Sequence, residues 1–316
     1  MDRITVVGAG VSGLTCAVKL LEAGFDVTIL TREEPLETTS GVAAALWFPF
    51  RAYPLERVVE WSLRSLERFQ HLEPEAEAGI VTSSVKELYR DQLPSPAWRS
   101  GLPGFRELAA DEIPQSFIAG YAMDVPVVDT SRYIPFLTSR IERLHGKIEL
   151  RDVEDLKALG SESRLVVNCS GTGARALARD DAVYPIKGQI LRVAREPFDQ
   201  VIVDEGSEEA AYVVPRTDDC ILGTTIEENV WERTTTESGA RRILESCSRL
   251  DPRVEAVEVL EARAGLRPGR HEVRLERERI GDMTVIHDYG HGGSGFTLSW
   301  GCAEEVLKLV SISLES

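Results

Sequence analysis

Three scarcities in this sequence each exclude a class of protein. Cysteine is one: Cys16, Cys169, Cys220, Cys247 and Cys302 are odd in number, far apart and never in a C-x-x-C pair. That excludes a disulfide framework or a zinc ribbon and makes a reducing compartment the expectation. Positive charge is the second. Lys and Arg total 36 against 52 Asp and Glu, a formal charge of -16, and such a field repels phosphate backbones and anionic membrane surfaces. Neither nucleic acid nor membrane is an expected partner. Long apolar runs are the third, because nowhere do the roughly 18 consecutive apolar residues of a membrane span occur. The apolar stretch 4–18, preceded by Arg3, looks like a signal peptide until its interruptions at Gly8, Gly10 and Gly13 are counted and no convincing small-residue cleavage site is found. Residues 313–316 carry no peroxisomal or retention signal. The expected location is cytoplasmic. Internal repeats and low-complexity segments are also lacking.

What is present fits a water-soluble globular α/β chain. Its 316 residues suffice for about two domains, and 43% hydrophobic with 28% charged residues leaves enough apolar surface for a core. Residues 4–7 are a β-branched run, 11–23 have helical periodicity closed by Gly24, and 25–30 read as a second strand. Between the first strand and the helix stands Gly8-Ala9-Gly10-Val11-Ser12-Gly13. The first glycine permits a tight turn, the second lets a pyrophosphate approach the backbone, and the third lets helix and strand pack closely. A G-x-G-x-x-G in that context reads as dinucleotide binding. About 20 residues on, where an acid would grip a ribose, stand Arg32, Glu33 and Glu34. The contact is assigned to Arg32 or Glu33, with a solvated charge run as the alternative.

Residues 38–49 follow, Thr38-Thr39-Ser40 and then an Ala-rich run ending Leu46-Trp47-Phe48-Pro49. Small residues allow a flat ring to approach and the hydroxyls can meet phosphate or ribose, although a buried Ala-rich turn has the same composition. Residues 55–72 read as an amphipathic helix whose stripe is Leu55, Val59, Leu63 and Leu66, flanked by Val58 and Phe69. Residues 131–144 read as another helix. The run 165–173 reads as a buried strand ending in a small-residue turn, the place where open α/β sheets put ligands or merely an ordinary loop. Residues 189–263 read as alternating, antiparallel strands, 285–297 as Gly-rich loop, and 298–311 as a last helix.

Metal binding is not expected. His287 and His291 lack a following Glu and sit among glycines, so local packing is the better reading. Ser294 lies in a Gly-rich loop without the G-x-S-x-G spacing, which speaks against acyl hydrolysis. In Gly265-Leu266-Arg267-Pro268, an Arg before Pro is held extended and its fork suits a carboxylate, yet the segment also reads as a plain loop.

Taken in order, Gly8 to Leu14, Thr38 to Trp47, Val167 to Gly171, Tyr212-Val213-Val214-Pro215, Gly265 to Pro268 and His287 to Cys302 resemble the D-amino-acid oxidase family over nearly the whole chain. Tyr289-Gly290-His291-Gly292-Gly293 and Trp300-Gly301-Cys302 are the most specific parts of that likeness. The resemblance implies a Rossmann-type FAD-binding domain (1–50, 129–188 and 268–316) interleaved with an α+β substrate domain (51–128 and 189–267) on a largely antiparallel sheet. FAD would be bound noncovalently. Gly8, Ala9, Gly10, Val11, Ser12 and Gly13 would hold its pyrophosphate, near Thr38, Thr39 and Ser40. Ala43, Ala44, Ala45 and Leu46 would lie along the flavin, Val153 and Ser170 would touch FAD, and Gly292, Gly293, Ser294, Gly295, Phe296 and Thr297 would line the pyrimidine end.

The implied reaction turns a D-amino acid into an imino acid, and hence a 2-oxo acid and ammonia, with oxygen reduced to hydrogen peroxide. Arg267 would take the substrate carboxylate with help from Tyr212, and the Gly293 carbonyl would accept from the amine. A homodimer is compatible with this reading. Glu208 stands where many members have a lid tyrosine, Ser294 where a tyrosine is frequent, and Phe48 where some members are polar. D-aspartate oxidation, glycine or other amine oxidation, a nicotinamide-dependent dehydrogenase and a noncatalytic flavin protein are the alternatives. Aspartate would need a second cation, for which Arg216 is the candidate, whereas Trp47 and Phe48 favour neutral or apolar D-amino acids.

Overall fold

A computed structural model of the chain describes residues 3–95, 97–204 and 210–314; Glu208 lies outside these. Two sheets organise it. The first has six strands in the order Arg274–Ile280, Met283–Tyr289, Leu165–Asn168, Arg3–Val7, Asp26–Thr31 and Lys147–Leu150. All neighbours run parallel except the first pair. Strands Leu165–Asn168 and Met283–Tyr289 are buried throughout, as a sheet covered on both faces requires. Helix Val11–Glu22 follows the first strand as its periodicity predicts, and Gly24 at φ +89° ends it.

The second sheet has nine strands, with Val259–Gly269 pairing Tyr184–Ala194 along eleven residues of strand. Its pairs are antiparallel, apart from Val201–Asp204 beside Ile80–Tyr89. Helix Glu237–Ser248, unread in a segment whose alternation suggested strands alone, presents Ile243 and Cys247 to Leu191, Val213 and Leu222. Residues 45–47 join the edge of the second sheet's strand Ala119–Val128, where the Trp47 N–H donates to Pro126 O at 2.9 Å and the Val128 N–H to Ala45 O at 3.0 Å.

Two sequence expectations need correction. Residues 285–289 belong to a buried strand rather than a loop, and the last helix begins at Gly295; His287 and Asp288 disguise the strand, being polar groups that find partners inside the protein. In helix Leu55–Leu72 the expected stripe is only partly inward: Leu55 and Leu63 are exposed, whereas Leu66 and the flanking Val58 and Phe69 are buried. The buried face is Val58, Trp61, Ser62, Ser65, Leu66, Phe69 and Leu72. This helix packs on Gly295–Leu314, where a Cβ at Gly301 would stand 2.2 Å from Trp61 O and the Gly301 N–H donates to Ser65 Oγ at 3.0 Å. Close approach puts serine where hydrophobicity alone predicts leucine. The helix therefore packs against the first unit, although its sequence lies in the segment assigned to the second.

Candidate active site

The glycine turn is built by local sterics. Gly8 sits at φ +104°, and a Cβ there would lie 2.5 Å from Cys169 O. A Cβ on Gly13 would lie 1.9 Å from Gly8 O, so helix and strand touch backbone to backbone. Gly13 thus serves packing and stands outside the lining of a cavity of about 510 Å³ that Gly8, Ala9, Gly10, Val11 and Ser12 border. Around it the structure also places Arg32, Glu33, Thr38, Thr39, Ser40, Ala43, Val153, Ser170, Gly292, Gly293, Gly295 and Phe296. Arg32 is exposed, whereas Glu33 is tied to Arg233 at 2.8 Å.

The hydroxyls of 38–40 have internal duties. Thr38 donates to Pro35 O, Thr39 donates to Leu266 O at 3.1 Å, and Ser40 Oγ accepts the Val11 N–H at 2.9 Å. They lash the loop to the first helix and to the strand that carries Arg267. Ala44, Ala45 and Leu46 border a second cavity of about 120 Å³, which has Ala43, Tyr212, Arg267, Gly293 and Phe296 in common with the larger one. Ser294 and Thr297 border neither. Their hydroxyls grip backbone instead: Ser294 Oγ accepts from the Phe50 N–H and donates to Phe50 O, and Thr297 Oγ1 does the same for Phe48.

Where the cavities meet stands Arg267. Its Nη2 donates to Thr224 Oγ1 at 2.8 Å and its Nη1 to Thr225 O at 3.4 Å, and the Tyr212 hydroxyl lies close enough to Thr224 and Arg267 to feel both. Burial draws the guanidinium down from its ordinary range, opposed by Tyr212, and burial pushes the Tyr212 hydroxyl up. The arginine remains a cation and the phenol a donor. Two glycines make the room: a Cβ on Gly188 would meet Arg267 Nη1 at 2.1 Å, and one on Gly223 would meet the Tyr212 ring at 2.2 Å. Thr224, Gly188 and Gly223 were missed by the sequence reading, because a glycine's role here depends on what lies across the sheet.

Arg216 is elsewhere. Its Nε and Nη2 each donate to Asp219 at 2.7 Å and its Nη1 to Thr130 at 2.9 Å. Asp288 lies within metal-ligand reach of Cys16 and Cys169, and of His291 and Cys302. These groups bond one another: the Cys16 thiol donates to Asp288 Oδ2 at 3.4 Å and His291 Nε2 lies 3.0 Å from Asp288 Oδ1.

A turn that only glycine fits, a helix N-terminus at the wall of a large cavity, and small residues in its lining suit a dinucleotide. The family model of the DAO FAD-dependent oxidoreductases matches residues 3–309. The chain belongs to the DAO family of FAD-dependent oxidoreductases. A D-amino-acid oxidase of Rubrobacter xylanophilus is 46% identical over 315 residues, 99% of this chain and 97% of its relative. A human D-aspartate oxidase is 32% identical, over 98% and 94% of the two chains. Among solved structures, glycine oxidase from Geobacillus kaustophilus superposes with a TM-score of 0.84 at 20% identity, over 99% of this chain and 95% of the other; that likeness shows the fold. Membership in the DAO family makes FAD the dinucleotide and sets aside the nicotinamide reading. Among the described residues no helix is long and apolar enough to cross a membrane.

Proposed function

We propose that this chain is a D-amino-acid oxidase acting on neutral and apolar D-amino acids, with oxygen as the second substrate and hydrogen peroxide as product. The supporting observation is the Arg267–Tyr212 pair, a cation and a hydroxyl donor at the junction of the two cavities, where a carboxylate would be held with its α-carbon toward the larger one. When bound, FAD supplies the acceptor for the two electrons that leave with the α-hydrogen. No side chain offers itself as base. The ionisable residues around the smaller cavity, among those described, are Arg267, Tyr212 and Asp204. Burial keeps the tyrosine protonated, and Asp204 is gripped by Arg90 Nε and Nη2 at 2.9 and 2.8 Å. Hydride transfer is therefore the simpler route, and the Gly293 carbonyl would accept from the amine.

Substrate choice follows from the walls. Leu46, Phe48, Phe50, Ala210 and Val214 are apolar, Arg216 is spent on Asp219, and Arg51, the other cation whose field reaches Arg267, is paired with Glu228 at 2.7 Å. A second substrate carboxylate would be buried without a partner at a cost of several kcal/mol. The chemistry also fits a reducing cytoplasm, since all five cysteines are free and buried. Peroxide release with D-valine, D-alanine, D-aspartate and L-alanine tests the reading. Turnover should favour the first two, and a preference for D-aspartate or for the L-isomer would defeat it.

A further inference from the structure

Behind the cofactor cavity runs a line of side chains that the oxidation does not use. Ser170, which borders the cavity, donates its backbone N–H at 3.2 Å and its hydroxyl at 2.6 Å to Asn168 Oδ1. A backbone N–H can only donate, so the Asn168 carboxamide has one orientation. Its Nδ2 then faces His287 Nδ1, at 3.2 Å. An amide nitrogen likewise only donates, so Nδ1 is the acceptor and the ring proton sits on Nε2, where it points at Glu278 Oε2 at 3.0 Å. Asn168 and His287 are both fully buried. One backbone donor at the cavity wall thus sets the tautomer of an imidazole two residues deeper.

We propose that His287 is a positioning residue for the cofactor: in the neutral Nε2–H form it holds Asn168 against the Ser170–Gly173 turn, and a proton on Nδ1 releases the turn and weakens FAD binding. The proposal rests on the placement of FAD against Ser170. With both ring nitrogens protonated, Nδ1–H would confront the Asn168 amide N–H₂. Turning the carboxamide over would satisfy the ring but set the amide against the Ser170 N–H, which then has no acceptor.

The surroundings keep the ring neutral. Strand Arg274–Ile280 brings Arg274, Glu276 and Glu278 toward it, Tyr289 from its own strand meets it edge-on at 5.6 Å, and Asn168 faces it from the other side. Burial lowers the imidazole below its ordinary range and Arg274 adds to this, against the pull of Glu278 and Glu276. Burial raises the Glu278 carboxyl, but His287 and Arg274 outweigh that and leave it lowered. A carboxylate facing a neutral imidazole satisfies both. Because the folded pKa of the histidine is depressed, the holding contact is complete above the ordinary imidazole range and is lost as pH falls below it, by at most about tenfold in affinity per pH unit.

FAD release from the diluted holoprotein, read by flavin fluorescence at about pH 8 and about pH 5, tests this. For the wild-type protein the dissociation constant should rise about tenfold or more on acidification. His287→Gln can still accept from Asn168 and donate to Glu278 but does not titrate, so it should bind as the wild type does at high pH and change less than about threefold in acid. Nitrogen-15 shifts of the wild-type ring should report an unprotonated Nδ1 at high pH. An equal acid response in wild type and His287→Gln, or a proton on Nδ1, would overturn the proposal. If the tautomer is as stated but folded Asn168→Leu binds FAD as tightly as wild type at high pH, the proposal falls through the placement of FAD against the turn.

Discussion

Gly188→Ala offers a sharp test of the carboxylate clamp. The added Cβ would stand 2.1 Å from Arg267 Nη1, 2.4 Å from Cζ and 2.5 Å from Nη2, where ordinary contact begins near 3.4 Å. The guanidinium must retreat by about 1 Å, and since it is the free end of a long side chain it can do so cheaply. Stability should therefore change by less than about 1 kcal/mol, seen as a melting shift of no more than about 2–4 °C. Function should not be spared. The retreat displaces the charge-assisted fork that would meet the substrate carboxylate, a contact worth about 1.5–3 kcal/mol to the bound substrate. A misplacement of this size costs on the order of a hundredfold. The expected fall in kcat/KM on D-alanine is about 30- to 300-fold, with the flavin spectrum retained. Gly160→Ala, whose Cβ meets nothing within 4 Å, is the control. A Gly188→Ala enzyme within about threefold of wild type would refute the placement of Arg267 as the carboxylate's partner.

Arg267→Ala should lose roughly 2–5 kcal/mol of transition-state binding in steady-state kinetics while keeping its FAD, and Tyr212→Phe, which removes one neutral hydroxyl, about 1 kcal/mol; a near-normal Arg267→Ala would remove the central support for the proposed function. Arg216→Met strands Asp219 and Asp129 in the interior and should cost about 3–5 kcal/mol in denaturant unfolding without changing the ratio of D-valine to D-aspartate turnover. A selective loss of D-aspartate activity would return Arg216 to the substrate. Burial raises the Asp180 carboxyl, but Tyr289 at 2.8 Å and Arg270 at 3.0 Å outweigh it and leave it lowered. The stability it confers is present above about pH 4 and lost as pH falls through the depressed value. Asp180→Asn should thus melt lower at neutral pH and show a shallower acid limb, and an unchanged limb in thermal scans would count against the assignment.

The parts of the site legible in the sequence are those whose physics is local. The turn at Gly8, Gly10 and Gly13 is specified by the positive φ of the first and the contact between Gly8 O and the third, needing nothing from beyond a single βαβ unit. Arg267 and Tyr212 lie 55 positions apart and came together through a family likeness, since no spacing rule links them. Gly188 and Gly223 were illegible because their meaning is a matter of register: Gly188 pairs with Gly265 two residues before the arginine, and Gly223 pairs with Tyr212 itself. Ser65, buried where its hydroxyl accepts the Gly301 N–H of the crossing helix, shows why a hydrophobic stripe placed the centre of the buried face too far round, at Leu55 and Leu63. Met283–Tyr289 hid as a loop because its His287 and Asp288 advertise solvent that they never meet.

The grip of Ser294 and Thr297 on Phe50 and Phe48 ties the order of synthesis to the onset of chemistry. The backbone at Phe48 and Phe50, in the wall of the smaller cavity, is held by hydroxyls that are synthesised 244 to 249 residues later, and strand Leu165–Asn168, already paired with Arg3–Val7, gains its other neighbour, Met283–Tyr289, 119 residues later. A nascent chain arrested before those residues has the glycine turn but an unbraced cavity wall, so the two cavities are completed by the last tenth of the sequence rather than by the first.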